Sequence, residues 1–424
     1  MPVTETHAED RRALALSPRV PRASSRREVR PATRSRASRV PLGLLGMLGM
    51  VLLVESAVAE RWESFTDPVA FSWRYSLDEA DRAGGFDVLC LGDSLAKHGL
   101  VPPVMTSVNG RSARNLAAAA SPAPLTYFAL RRALNAGARP AAVVLEYKPS
   151  VLAGGPKLRS RCWAEALSGL ELVDLIRTSK SATLAAELLV GAALPSVRAR
   201  HDVRENLLRA LRGESSRLRS LNAICRRNWS VNGGANVASR QPGFTGAVPE
   251  EVHRNLLSDR FAANRVNADY VRRTLELASR HGISTYLVIP PFAPELLARR
   301  AETGAEARFS QFVRSLQTRH PAVTVLDARE SGYPASAFVD ASHLDRLGAV
   351  ALSLDVGEAL RRTFEEVGGK SSSRGRWIIL PRFQARPDPV VLEDVEQSRE
   401  RLGIAWEPSP KHDTPRIARR GEPR

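Results

Sequence analysis

The chain has 424 residues, 25% of them charged, and a formal net charge of +17. That length accommodates two or three average domains, or one α/β domain with insertions. Ten Arg face four acids in residues 1–39 and twelve Lys or Arg face eight acids in residues 370–424, so +10 lies in two tails. With 6% aromatics, no compact basic patch interleaved with aromatics remains, which argues against a nucleic-acid partner. Three scattered cysteines, Cys90, Cys162 and Cys225, exclude a disulfide framework or a metal knot, although an exported chain could pair Cys162 with Cys225.

In chain order, residues 1–39 read as a basic, disordered arm. Residues 40–59 hold an apolar segment, without charge from 42 to 54 and interrupted by Glu55. A membrane-spanning helix needs ~20 apolar residues, ~17 at the lower limit, and the segment reaches that only by including the Glu55 carboxylate. Ala57-Val58-Ala59 also fits a signal-peptidase site. A signal anchor and a cleaved signal peptide both fit, and both export the bulk of the chain while the basic flank stays cytoplasmic.

Residues 60–149 open the main domain with a polar connector. "FDVLCLG" (86–92) is a short apolar run closed by Gly, as expected of a buried parallel strand. "AAVVLEY" (141–147), "GISTYLVIPP" (282–291) and "AVTVLDA" (322–328) have the same character, and each is preceded by helical periodicity. A shorter strand fits within "TSVNGRSARNLA" (106–117). Residues 150–265 lack a strand pattern and read as a helical insertion, a lid or a packing appendage. Residues 266–365 complete the domain. Residues 366–424 read as a disordered tail in which "RWIILPRF" could dock as a stray strand. Alternating helix and strand predicts a doubly wound parallel sheet.

In such a sheet the loops at the carboxyl ends of the strands converge on one crevice. The first strand ends at Gly92-Asp93-Ser94, where Gly permits a sharp bend and Ser94 starts a helix near unpaired backbone N–H groups suited to an oxyanion. A serine needs a base held by a carboxylate. His98 shares a helical face with Ser94 but has no acid beside it and reads as a rim residue. His343, in "FVDASHL" between the last strand and the last helix, has Asp340 three residues earlier.

Ser94 in "LCLGDSL" with Asp340-Ala341-Ser342-His343 resembles the first and last blocks of the SGNH/GDSL hydrolase superfamily over residues 86–365. The resemblance implies a flavodoxin-like three-layer α/β sandwich with a central parallel sheet. It makes Ser94 the nucleophile, His343 the general base and Asp340 its orienter. The family completes its oxyanion hole with a glycine N–H and an asparagine side chain. Here Asn115-Leu116 resembles the second block but Ala120 or a neighbour replaces the glycine, and Glu146-Tyr147-Lys148-Pro149 stands where the asparagine block is expected. Glu146 could line the crevice or cap a helix. Missing that asparagine while keeping the outer blocks resembles the membrane-tethered subgroup, which includes D-alanyl transfer proteins of teichoic-acid assembly and acetyl-transfer proteins of exopolysaccharide synthesis. The expected function is a serine esterase or acyl-hydrolase, without metal or cofactor, acting outside the cytoplasmic membrane on an acylated small molecule or cell-surface polysaccharide. An O-acyltransferase of a cell-envelope polymer and a non-catalytic surface protein of the same fold are the alternatives.

Overall fold

A computed structural model describes residues 42–213, 216–240, 244–248, 261–366 and 375–405, so the basic arm expected at 1–39 and the end of the tail lie outside the described residues. The chain divides after Met50 into two compact units. Of the first, only the opening turns of the helix Leu42–Glu60 are described; the second holds the α/β domain.

The apolar runs form β1 (Val88–Leu91), β3 (Ala142–Glu146), β4 (Ser284–Ile289) and β5 (Thr324–Asp327), and the shorter expected strand is β2 (Ala113–Asn115). With β6 (Trp377–Ile379) they make one all-parallel sheet of order β2-β1-β3-β4-β5-β6. Period-2 alternation divides each strand between two cores. Leu89, Leu91, Val143, Leu145, Leu287, Ile289 and Val325 face the layer of helices Pro68–Ala80, Ala123–Asn135, Arg265–Arg280 and Ala305–Arg319. Val88, Cys90, Ala142, Val144, Tyr286, Val288 and Leu326 face the layer of Pro102–Asn109 and Arg346–Glu366. The result is the expected α/β three-layer sandwich, both faces covered because both faces of every central strand are apolar.

The insertion is a run of helices from Pro149 to Val231, and its described residues 232–240, 244–248 and 261–264 are neither helix nor strand. Its helices have sequence-encoded starts, such as the Ser168–Glu171 capping box of Gly169–Ser179. The stray strand anticipated in "RWIILPRF" is β6, but the disordered reading of the residues around it is corrected, and the pairing of Cys162 with Cys225 that the sequence left open is not made. Residues 375–405 belong to the domain: the Trp377 indole N–H donates to Asp327, Leu380 and Leu392 are buried, and an Asp394–Gln397 capping box starts the helix Val395–Arg401. Weak periodicity hid this because the segment is an edge strand and a strap, which need few apolar residues. Cys162 and Cys225 are separate free thiols; Cys162 is packed in one helical core while Cys225 is half-buried elsewhere.

Candidate active site

Chain order reverses at β1, whose neighbours are β2 and β3, so the carboxyl ends of β1 and β3 flank the switch point where an open α/β sheet forms its crevice. The turn after β1 is forced by contact. Gly92 has φ +155°, and a Cβ there would stand 2.7 Å from the Glu146 carbonyl oxygen, so only glycine fits. Asp93 caps the helix Ser94–Gly99, its Oδ1 accepting from the Leu95 N–H at 2.8 Å. Ser94 is thereby the first helical residue, half-exposed while its neighbours Asp93 and Leu95 are buried.

His343 is brought to it from across the sheet. The Phe338–Leu344 bridge and the Val339 N–H to His343 O bond of 2.9 Å fold residues 338–344 into a tight loop. Asp340 Oδ1 accepts from the N–H groups of Ser342 (2.8 Å) and His343 (2.9 Å), and its Oδ2 lies 2.7 Å from His343 Nδ1. His343 Nε2 is 2.8 Å from Ser94 Oγ. An ionised Asp340 accepts from Nδ1–H, which leaves Nε2 as the acceptor facing the serine hydroxyl. Burial works to raise the Asp340 pKa, but the hydrogen bond and charge of His343 and the two amides outweigh it and hold the carboxyl well below its ordinary range.

The other anticipated residues fall differently. Asn115 is buried, its amide N–H groups donating to the carbonyls of Ala96 (2.9 Å) and Leu100 (2.7 Å) and its Oδ1 accepting from Ala117 N–H; it braces the helix that Ser94 starts and has no donor left for a ligand. Glu146 lies beneath the turn rather than in the crevice, 1% exposed, with Oε2 accepting from the N–H groups of Asp93 (3.1 Å) and Ala96 (3.2 Å). Its Oε1 and Asp93 Oδ2 are buried without other partners. Burial and then the Asp93 carboxyl push Glu146 well above the usual carboxyl range. Ala120 adopts φ +48°, the left-handed region that glycine occupies freely. Its turn is pinned by Ala119, whose N–H donates to Ser72 Oγ (2.9 Å) and whose carbonyl accepts from the Trp73 indole (2.8 Å). Among the described residues no acceptor is found for the backbone N–H groups of Ser94 and Ala120, whereas those of Asp93, Leu95, Ala96, Lys97, Ala117, Ala118 and Ala119 are all committed.

Four further side chains join the site. Lys148, at the β3 exit, is buried and donates to Ser342 Oγ at 3.2 Å; that hydroxyl is itself 3.3 Å from Asp340 Oδ1 and 3.4 Å from His343 Nδ1. It sets the Lys148 amine two hydrogen bonds from the Asp340 carboxylate. His98 packs against His343 with ring centroids 4.9 Å apart. Burial, then His343, Lys97 and Lys148, depress its pKa to about 3, so it is neutral at physiological pH. Asn236, from the insertion, faces His98 Nε2 at 3.0 Å with its amide fixed by the Trp229 indole N–H on Oδ1. Lys148 was readable as the cation beside Glu146 in the third block, but Ser342 and Asn236 carry no pattern of their own. No protein-family model matches this chain, and no curated protein is similar to it.

Proposed function

We propose that the protein is an SGNH-type serine esterase or acyl-hydrolase, membrane-tethered, with its catalytic domain outside the cytoplasmic membrane and O-acylated cell-surface polysaccharide or an acylated small molecule as substrate. The observation that carries this reading is the chain Ser94 Oγ, His343 Nε2, His343 Nδ1, Asp340 Oδ2, linked at 2.8 and 2.7 Å at the switch point of a parallel sheet. His343 takes the Ser94 proton as Oγ bonds to the acyl carbon, and Asp340 stabilises the imidazolium. The N–H groups of Ser94 and Ala120 stabilise the oxyanion. The tetrahedral adduct collapses as His343 protonates the departing alkoxide; water, deprotonated by His343, then releases the acid and restores the serine. A sugar hydroxyl in place of that water gives acyl transfer with the same groups. The apolar helix Gly43–Glu60 is long enough to cross a membrane, which supports tethering.

The test is labelling with a fluorophosphonate and turnover of p-nitrophenyl acetate. The wild-type chain labels; Ser94→Ala abolishes labelling, and His343→Ala lowers turnover by roughly 10⁴-fold or more. Failure of the folded wild-type protein to label would favour the non-catalytic reading.

A further inference from the structure

A solvent-facing helix normally turns polar residues outward. The helix Ala182–Ala193 does not. Leu184, Leu188 and Gly191 are buried, and the outward face carries Ala186, Leu189, Val190, Ala192 and Ala193, with Thr183 and Glu187 its polar members. Leu189 is 60% and Val190 49% exposed. Twelve residues span about 18 Å, too short to cross a bilayer of ~30 Å, and a helix exposed along one side is not a core helix.

The following helix, Pro195–Arg198, connects this face to the N-terminal apolar helix. The backbone N–H and hydroxyl of Ser196 donate to the Glu55 carboxylate at 2.7 and 2.5 Å. Glu55 lies in the helix Leu42–Glu60, among the exposed apolar residues Leu52, Leu53 and Val54. For a bilayer crossed by Gly43–Glu60, Glu55 sits about 7 Å along the axis before the helix end. Ser196 and its neighbours are therefore carried below the surface by that amount, within the ~5–10 Å depth of interfacial helices. Val197 is exposed there, and a cavity of about 660 Å³ is lined by Arg161, Glu187, Val190, Val197, Arg198 and Arg200 among others. It sets charged side chains, three basic against one acidic, beside apolar ones, as a headgroup and its acyl chain require.

We propose that the helices Ala182–Ala193 and Pro195–Arg198 lie in the leaflet on the catalytic-domain side, with phospholipid acyl chains covering Leu189, Val190 and Val197. The proposal rests on the membrane-tethered reading. It explains the charge that interrupts the apolar segment: the Glu55 carboxylate meets two donors at the depth where it would otherwise be unpaired. It also holds the domain against the membrane rather than on a free tether.

The test uses the full chain in phosphatidylethanolamine/phosphatidylglycerol liposomes, carrying a nitrobenzoxadiazole fluorophore on cysteine introduced as Leu189→Cys, Val197→Cys or, as control, the exposed Glu302→Cys. The unsubstituted chain sets the background from its native thiols. Lipids spin-labelled near the top of the acyl chain should quench positions 189 and 197 by about half or more and leave 302 unchanged. Equal, absent quenching at all three positions in protein that resists alkaline carbonate extraction overturns the proposal while leaving the tether intact. Release of the protein by carbonate overturns the tethered reading itself. Protection of 189 from aqueous iodide without lipid quenching means a second protein covers the face, and also overturns it.

Discussion

Lys97 lies three residues after Ser94 and is 2% exposed, yet its ammonium has no hydrogen-bond partner. It sits 4.1 Å from the centroid of the Trp229 ring and 5.2 Å from that of Tyr75. The ring faces favour the charged form, but burial opposes it more strongly and lowers the pKa from 10.5 to about 7. Because the folded value is the lower one, the unfolded chain binds more protons between pH 7 and 10.5, and stability rises with pH across that window. The destabilisation is complete below pH 7 and gone above 10.5. Lys97→Met keeps the stem's packing and removes the charge, so its melting temperature should exceed that of the wild type at pH 6–7, with the gap closing toward pH 10. Melting curves across that range check this; a variant less stable at pH 6 would mean that the cation–aromatic contact outweighs desolvation.

The turn between β1 and its helix depends on an acid from the next strand. Glu146 holds the amides of Asp93 and Ala96 on either side of Ser94. Glu146→Gln keeps an acceptor for both and offers Asp93 a donor, so it should fold and label with fluorophosphonate near the wild-type rate. Glu146→Ala orphans two buried N–H groups and should lower stability by roughly 2–5 kcal/mol and slow labelling sharply. As the Glu146 pKa is raised on folding, the unfolded chain releases that proton first, and stability falls with pH from the ordinary carboxyl range up to the shifted value; the Gln variant should lack that decline in melts run upward from about pH 4. Loss of labelling in a fully folded Glu146→Gln protein would contradict the bracing role. The same element separates what the sequence could tell from what it could not. Strands β1, β3, β4 and β5 were legible because buried parallel strands are short apolar runs, Ser94 because it sits at the end of such a run, and Asp340 and His343 because a carboxylate stands three residues before a histidine in the loop that precedes the last helix of the domain. Glu146, a carboxylate at a strand exit, reads equally as a crevice acid or a brace; its partner is the backbone of a turn 50 residues away, which no local pattern records. Asn115 failed as an oxyanion candidate for the same reason. Ala120 was legible only as a missing glycine, and its left-handed turn depends on Ser72 and Trp73 from another helix.

The whole molecule adds a constraint invisible in any one segment: the C-terminal strap holds both the sheet edge and the insertion. β6 pairs with β5 from Val325–Trp377 to Asp327–Ile379, and the Leu380 N–H continues to Asp327 O at 2.8 Å. Farther along, the Glu393 carbonyl accepts from the side-chain amides of Asn228 (2.8 Å) and Asn232 (2.7 Å), and the Val395 N–H donates to Val237 O. Asn228 and Asn232 are fully buried, so removing the strap leaves amide donors unpaired in the layer that positions Trp229 and Asn236 against His98. It also bares an apolar strand edge. A chain ended at residue 374 should therefore melt on the order of 10 °C or more below the full chain, bind a hydrophobic dye and lose fluorophosphonate labelling, while one ended at residue 405 should match the full chain in all three. If the shorter chain kept its melting temperature and its labelling, the strap would be an appendage, and the support of His98 by the insertion would have to come from the helices alone.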